Sequence, residues 1–347
     1  WWGAVALLLA GGTAIRLSLR RAMDNTRGWQ IHRAYITAFF GQAIEQRLRR
    51  TAMRALDVAE AVPVENVDHP PSTTAETAPH ILLLVHESTF PPSLYGFPEE
   101  DDVSQFLRGY DGGRSLVTEV FGGQSIMSSV SCQTGLPISI FGAARFYATR
   151  FWAGHIGVSL PNFLRAHGYH STSILSCDGS WMGIGPFYRS IGFDTVLQPG
   201  DYAARSSLPV YADRDRLMFA AAADEIARRI AAGIERTYTL VETLGNHAPH
   251  DFAKFEDGRV AASKEWFVAE CGRLGLAPPA AMVEYYGRLR ATVDDYAALR
   301  ARLAREHPAE DFVIINIGDH QPPFVNALPE EGDRRYRTFL SVDTIGT

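Results

Sequence analysis

Four apolar runs in this chain each lead to a residue able to do chemistry. ILLLVH (81–86) runs into Glu87, SLVTEVFGG (115–123) into the segment holding Ser125, TYTLVETLGN (237–246) into His247, and FVIINIG (312–318) into Asp319 and His320. In an open α/β sheet, ligands bind outside the carboxyl ends of the strands, so four such runs would gather carboxylates, a hydroxyl and histidines in one place. That set has the composition of a metal-assisted phosphoryl or sulfuryl transfer site. Taken singly, each residue has a plainer reading. Glu87 could be a surface carboxylate, Ser125 a helix N-cap after Gly122-Gly123, and His247 and His250 of GNHAPH ordinary loop histidines. Their shared placement behind apolar runs is what points to chemistry.

The elements that must position them follow from the hydrophobic pattern. Strands are expected over 81–85, 115–121, 171–175, 237–244, 312–317 and 337–342, and helices over 160–166, 214–231 and 281–305, the last two with charges opposite their apolar residues. This alternation reads as α/β with a largely parallel central sheet covered by helices. Of 347 residues 46% are hydrophobic, enough for one large domain and an appendage. Lys and Arg number 33 against 39 Asp and Glu, a formal charge of -6, which argues against nucleic acid as a partner. Only three cysteines occur, Cys132, Cys177 and Cys271, too few for a disulfide scaffold and without zinc-knuckle spacing. Cys132 and Cys177 form a candidate pair if the domain lies outside the cytoplasm.

Ahead of the α/β pattern the composition changes twice. Residues 1–15 carry no charge and are stopped by Arg16, Arg20 and Arg21. A spanning helix needs roughly 20 apolar residues, so the run is expected to be the end of a transmembrane helix. A signal-peptide core and an ordinary packed helix are the alternatives. Residues 16–61 then show a loosely helical, basic, membrane-proximal pattern, and 62–79 gather Pro, Ser, Thr and Glu as a linker does. The domain proper is placed at 80–347, its C-terminal end left open to truncation.

Together, ILLLVHEST, GGQSIMSSVSCQTGLP, FYRSIGFD, TLGNHAPH and INIGDHQPP occur in an order that resembles the sulfatase-like branch of the alkaline phosphatase superfamily. Within it they are most similar to lipoteichoic acid synthases and to phosphoglycerol or phosphoethanolamine transferases. The resemblance implies an alkaline-phosphatase-like α/β/α sandwich. It implies that Glu87, Asp319 and His320 hold one divalent cation and that Ser125 is both nucleophile and fourth ligand. Thr134-Gly135 stands nine residues after Ser125, the register of the sulfatase nucleophile. His247 matches a histidine that contacts the substrate phosphate, Trp181 lies near an aromatic substrate contact, and His250 and Asp178 are further substrate-side candidates. Two carboxylates, an imidazole and a hydroxyl suit Zn²⁺ or Mn²⁺, with Mg²⁺ admissible.

Two departures narrow the resemblance. Ser125 is followed by Ile126-Met127-Ser128-Ser129, without the Pro and Arg that sulfatases need to make formylglycine, and Gly183 stands where lipoteichoic acid synthases carry an Arg after the aromatic contact. The implied activity is transfer of a substituted phosphate from a phospholipid donor to an envelope glycan or lipid acceptor through a phospho-serine. The implied setting is the bacterial inner (plasma) membrane, with the domain facing the periplasm or exterior. A phosphodiesterase or phosphatase is the alternative enzyme, and a non-catalytic glycan- or partner-binding relative is the alternative of another class. Ser125, Ser128 and Ser129 share one helical face, and Ser125, nearest the glycine turn, is the expected nucleophile.

Overall fold

The computed structural model describes residues 78–109, 112–203, 214–329 and 331–346. The expected membrane helix over 1–15, the helical segment over 16–61 and all but the last two linker residues lie outside the described residues. No helix among the described residues is long and apolar enough to cross a membrane.

Seven strands form one sheet: β1 (His80–His86), β2 (Arg114–Val117), β3 (His170–Ile174), β4 (Thr195–Leu197), β5 (Thr237–Glu242), β6 (Phe312–Gly318) and β7 (Arg337–Ile345). Their spatial order is β2-β7-β6-β1-β5-β3-β4. From β6 to β4 every pairing is parallel, while β7 runs antiparallel to β6 and β2 antiparallel to β7. A strand in the middle of a parallel sheet is covered on both faces and reads as an unbroken apolar run, as β1 does in Leu82, Leu83, Leu84 and Val85, each at most 4% exposed.

The helices that bear on the site are α1 (Asp101–Arg108), α2 (Ser125–Thr134), α3 (Leu160–Ala166), α4 (Ile184–Ser190), α5 (Arg216–Ala231), α6 (Gly258–Arg273) and α7 (Ala280–Glu306). Leu82, Leu84 and Ile314 share a core with Met218 and Ala222 of α5 and with Tyr285 and Leu289 of α7. The opposite face carries α2, where Gln133 accepts a hydrogen bond from the Tyr238 hydroxyl of β5 at 2.9 Å. Side chains alternate along a strand, so the neighbours His86 and Glu87 part company. His86 enters the α5/α7 side among Phe106, Phe219 and Phe339, and Glu87 turns to the α2 side.

Several expected bounds move. The strand expected over 115–121 is only β2, because beyond Val117 the Thr118 hydroxyl donates to the Val120 carbonyl and the chain bends away towards Gly122 and Gly123. The strand expected over 237–244 ends at Glu242, where the backbone passes into the His247 loop. Strand β4 has three residues, too few for a period to show. Helix α6 buries Val260, Ser263, Phe267 and Cys271, a stripe too polar to stand out in sequence. Helix α3 matches its expectation, since the Ser159 side chain accepts from the Asn162 N–H and Pro161 occupies the first turn. Cys132 and Cys177 are both free thiols.

Candidate active site

Glu87 is the first residue past β1, and Asp319-His320 the first pair past β6; the two strands are paired in register up to His86 and Gly318. Parallel neighbours that stop together therefore place the three side chains side by side. Their ligand-type atoms all lie within 4.8 Å of one another, and each residue is buried. Strand β2 supplies the fourth member. Its Arg114 stands opposite Leu340, which itself stands opposite Ile317, so β2 begins where β6 ends and carries the chain past the sheet before α2 folds back over it. Ser125, the first residue of α2, donates to Glu87 Oε2 at 2.6 Å and lies 3.2 Å from His320 Nε2. One turn on, Ser128 donates to the Asp319 carbonyl at 2.6 Å and ties the helix down.

The cluster is organised for a cation. His320 Nδ1–H donates to the Gln321 carbonyl at 3.0 Å, which leaves the Nε2 lone pair facing Glu87 Oε1 at 3.6 Å and Asp319 Oδ2 at 3.5 Å. These spacings are close to the edge of about 3.3 Å expected for tetrahedral ligands with bonds of about 2.0 Å. Asp319 Oδ1 accepts from the N–H groups of Ser88 and His320, at 2.6 and 2.7 Å. Asp319 Oδ2 is buried without a hydrogen-bond partner, and an orphaned carboxylate oxygen of that kind is costly unless a ligand takes it. Burial and the Glu87 charge push Asp319 up to about 7. Burial opposes the Glu87 carboxylate, but His320, His247 and the Ser125 and Ser88 hydroxyls outweigh it and hold its pKa below the usual range. Burial likewise opposes protonation of His320, yet the two carboxylates raise its pKa. Two carboxylates compete here for protons in the place where a divalent ion would remove the competition.

Backbone strain marks the same places. Among the described residues, Ser88, Gln124 and Met182 are the non-glycine residues with positive φ, at 52°, 74° and 51°. They adjoin Glu87, Ser125 and Trp181. Such conformations cost of order 1–3 kcal/mol each and persist where surrounding contacts over-determine them. Ser88 shows those contacts: its N–H holds Asp319 and its hydroxyl donates to Glu87 Oε1 at 2.6 Å. Nothing in the hydrophobic pattern singles out Ser88, and only its place beside Glu87 could have drawn notice.

His247 lies exposed on the loop after β5, its Nδ1–H donating to the Ala248 carbonyl at 2.6 Å. The loop beneath it is heavily supported. Arg288, with a fully buried side chain, donates to the carbonyls of His247, Pro249 and Phe252 and is itself held by Glu284. Asp215 accepts from the N–H groups of Leu244 and Gly245. Lys254 donates to the carbonyls of the same two residues, and burial pushes its ammonium down to about 8. None of these supports stands out in sequence, because Arg288 and Asp215 come from α7 and the start of α5, and Lys254 from farther along the same loop. His250 is 5% exposed, packed on Tyr285 and Phe324 and hydrogen-bonded to Asn246, and burial pushes its pKa down to about 3. It therefore sits inside the loop, packed away from its exposed face. Trp181 is 53% exposed on the segment after β3, and the Asp178 carboxylate accepts from the Ser180 N–H in the same loop.

An α/β/α sandwich with a carboxylate–histidine cluster and a helix-borne hydroxyl at the carboxyl ends of its parallel strands defines the alkaline-phosphatase-like class. The sulfatase family model matches residues 113–340, about two thirds of the sequence, and the chain belongs to that family. No curated protein matches the sequence significantly. Among solved structures, the lipoteichoic acid synthase LtaP from Listeria monocytogenes is similar at 14% identity with a TM-score of 0.58, over 78% of this chain and 66% of that one. The phosphoglycerol transferase GacH from Streptococcus pyogenes, in complex with sn-glycerol-1-phosphate, is similar at 13% identity and a TM-score of 0.55, over 87% and 76%. The C-terminal periplasmic domain of EptC from Escherichia coli, in complex with zinc, follows at 14% and 0.50, over 76% and 72%. At these identities the likeness speaks for the fold. The chain spans just under two thirds of the length of LtaP.

Proposed function

We propose that the chain is a metal-dependent transferase that moves a substituted phosphate, of the phosphoglycerol or phosphoethanolamine type, from a phospholipid to an envelope glycan or lipid. The observation that carries this reading is the Ser125 hydroxyl, 2.6 Å from Glu87 and 3.2 Å from His320 at the N-terminus of α2. Family membership supports an enzyme of this broad class, and the activities named for LtaP and GacH suggest the finer one. Its setting would be the outer face of a bacterial inner (plasma) membrane, as the periplasmic origin of the EptC domain suggests.

Glu87, Asp319, His320 and Ser125 would hold one divalent ion, Zn²⁺ or Mn²⁺ with Mg²⁺ admissible; the zinc bound to EptC favours the first. When bound, that ion supplies Lewis-acid polarisation of the phosphoryl oxygens and a lowered pKa at the Ser125 hydroxyl. Ser125 Oγ attacks phosphorus; the Oγ–P bond forms as the bond from phosphorus to the diacylglycerol oxygen breaks, and that oxygen leaves with the electron pair and takes up the equivalent of the proton that the Ser125 hydroxyl gives up. An acceptor hydroxyl then attacks phosphorus of the phospho-serine; the P–Oγ bond breaks, the acceptor takes the substituted phosphate, and its lost proton restores the Ser125 hydroxyl. The free N–H groups and positive dipole end of α2 receive phosphate oxygens. His247 donates a hydrogen bond to them, Trp181 and Asp178 line the approach, and His250 orders the His247 loop.

Mass spectrometry of purified protein incubated with mixed phospholipids tests the reading. The expected result is an adduct on Ser125 whose mass names the donated group, no adduct in Ser125→Ala, and a detectable adduct in Ser125→Thr. Phosphate mapped to Ser128 or Ser129, or metal-loaded protein that neither forms an adduct nor turns over, would sink it. Release of water-soluble phosphoester in the presence of acceptor, without transfer, would identify the hydrolase instead.

A further inference from the structure

The two faces of the sheet are finished differently. On the α5/α7 face Phe312, Ile314 and Phe339 are at most 1% exposed. On the face that carries α2, Ile317 pairs with Val85 and Leu340 with Ile317, so both point to the side of Glu87. Towards the β2 edge that face is only partly covered: Ile315 of β6, Leu340 and Val342 of β7 and Leu116 of β2 are all half-buried. Between this strip and α2 lies a cavity of about 400 Å³, bounded by Leu116, Val120, Met127, Leu136, Ile138 and Leu340. It follows α2 from Met127 to Gly135, about 12 Å along the helix axis. Val117, 56% exposed, lies at its rim. Ser128 and Gly318 also line it. Ser128 holds the Asp319 carbonyl and Gly318 precedes Asp319, so the cavity reaches the cluster that Ser125 joins.

The lining says what kind of molecule it suits. A second large cavity, about 530 Å³, is walled in part by Arg259, Arg290, Asp102 and Asp294, whose charges answer one another. Beside α2 most polar groups are likewise taken up by the protein. Thr118 donates to the Val120 carbonyl, Ser128 to the Asp319 carbonyl, and Glu119 accepts from the Ile138 N–H. Ser131 is the exception: its buried hydroxyl has no hydrogen-bond partner among the described residues, and it faces the cavity. Apolar walls with one free hydroxyl match a hydrocarbon chain that carries one ester carbonyl. Resting on the reading of Ser125 as nucleophile towards a phospholipid, we infer that this cavity seats one acyl chain of the donor, with Ser131 donating to its ester carbonyl. The diacylglycerol leaving group then lies along α2 while phosphorus stands at the helix N-terminus. The lipid part of the donor is thereby selected by length, independently of the substituent on its phosphate.

Donor chain length reads this directly in the full chain loaded with zinc. The probes are dihexanoyl and dioctanoyl phosphatidylglycerol, or the matching phosphatidylethanolamines, whichever headgroup loads Ser125, kept below the concentration at which they form micelles. The seated chains differ by two methylenes, so KM for adduct formation should be about tenfold lower for the longer donor. Ser131→Phe, which fills the cavity, should bring the two donors to within about twofold of each other, with metal content and melting temperature essentially kept. Ser131→Ala should weaken both donors equally and keep the difference. Independently of turnover, phosphatidylglycerol vesicles with a diazirine at the end of one acyl chain should, on irradiation, label peptides covering 116–120, 127–138 and 340. Equal KM values, a chain dependence that survives in Ser131→Phe, or label confined to other peptides would each overturn the assignment. A dimer that dissociates in Ser131→Phe would also overturn it, since a second copy of the chain would then cover the face. Chain-dependent labelling in protein that never forms a Ser125 adduct would leave the lipid site standing and remove the transferase reading. An adduct formed equally well from either donor would do the reverse.

Discussion

Glu87, Asp319 and His320 are at most 4% exposed and stand on the first residues past β1 and β6, whereas Trp181 is 53% exposed and lies seven residues beyond β3. The first group inherits its geometry from the sheet. Strand pairing sets where Glu87 and Asp319 stand, and hydrogen bonds donated by Ser88 and Ser128 and accepted by the Gln321 carbonyl complete it. The second group depends on loop conformation, with Met182 left-handed and Asp178 turned into its own loop. His247 stands between them: its side chain is exposed, yet its backbone is gripped by a buried arginine. The contrast teaches that in this fold the metal-type cluster takes its geometry from paired strands, whereas Trp181 and Asp178 take theirs from a loop carried by that scaffold.

Breaking the rigid region should have the largest effect. Asp319→Asn and Glu87→Gln each remove a ligand charge, and elemental analysis should find the bound divalent ion lost, with turnover down by at least about 10³-fold. Unchanged metal in both variants would refute the cluster as a metal centre. An intermediate effect is expected at His247. As a donor to phosphate oxygens in the transition state, its replacement in His247→Ala should lower turnover by about 10²-fold while metal content stays intact. Loss of metal there would move His247 into the first group and erase the distinction.

The smallest expected effect is on stability, and its sign follows from linkage. Burial holds His250 neutral in the folded protein, its pKa pushed down to about 3 from the ordinary 6.5 of a histidine. Between those two values the unfolded chain binds the proton and the folded chain does not, so this residue's contribution falls as pH falls below 6.5. At pH 5 the loss is about 2 kcal/mol. Denaturant unfolding at pH 7 and pH 5 should show His250→Gln less sensitive to the change by about that amount. An identical pH response in the variant would mean that His250 is not buried neutral as the structure has it.

Much of the candidate site was legible in the chain because strand ends are legible. An apolar run followed at once by a carboxylate or Asp-His needs no knowledge of the rest of the molecule, and Glu87, Ser125, Asp319 and His320 all converge. The same reading does not tell His247 and His250 apart. The spacing in GNHAPH shows two histidines on one loop but not which of them turns inward, and it is packing against Tyr285 and Phe324 that decides this.

What the sequence alone determined, then, was the class of sheet, through runs long and apolar enough to require burial on both faces, and the identity of the groups at the carboxyl ends of its strands. Only the tertiary structure decided that β2 overshoots β6 to deliver Ser125 onto Glu87 and that Arg288 and Asp215 hold the His247 loop. The physical reason is one of range. Hydrophobic periodicity and turn chemistry act between residues a few positions apart and leave their mark in the order of the chain. Charge compensation acts through space between elements tens to hundreds of positions apart, and that order carries no trace of it until the sheet has assembled.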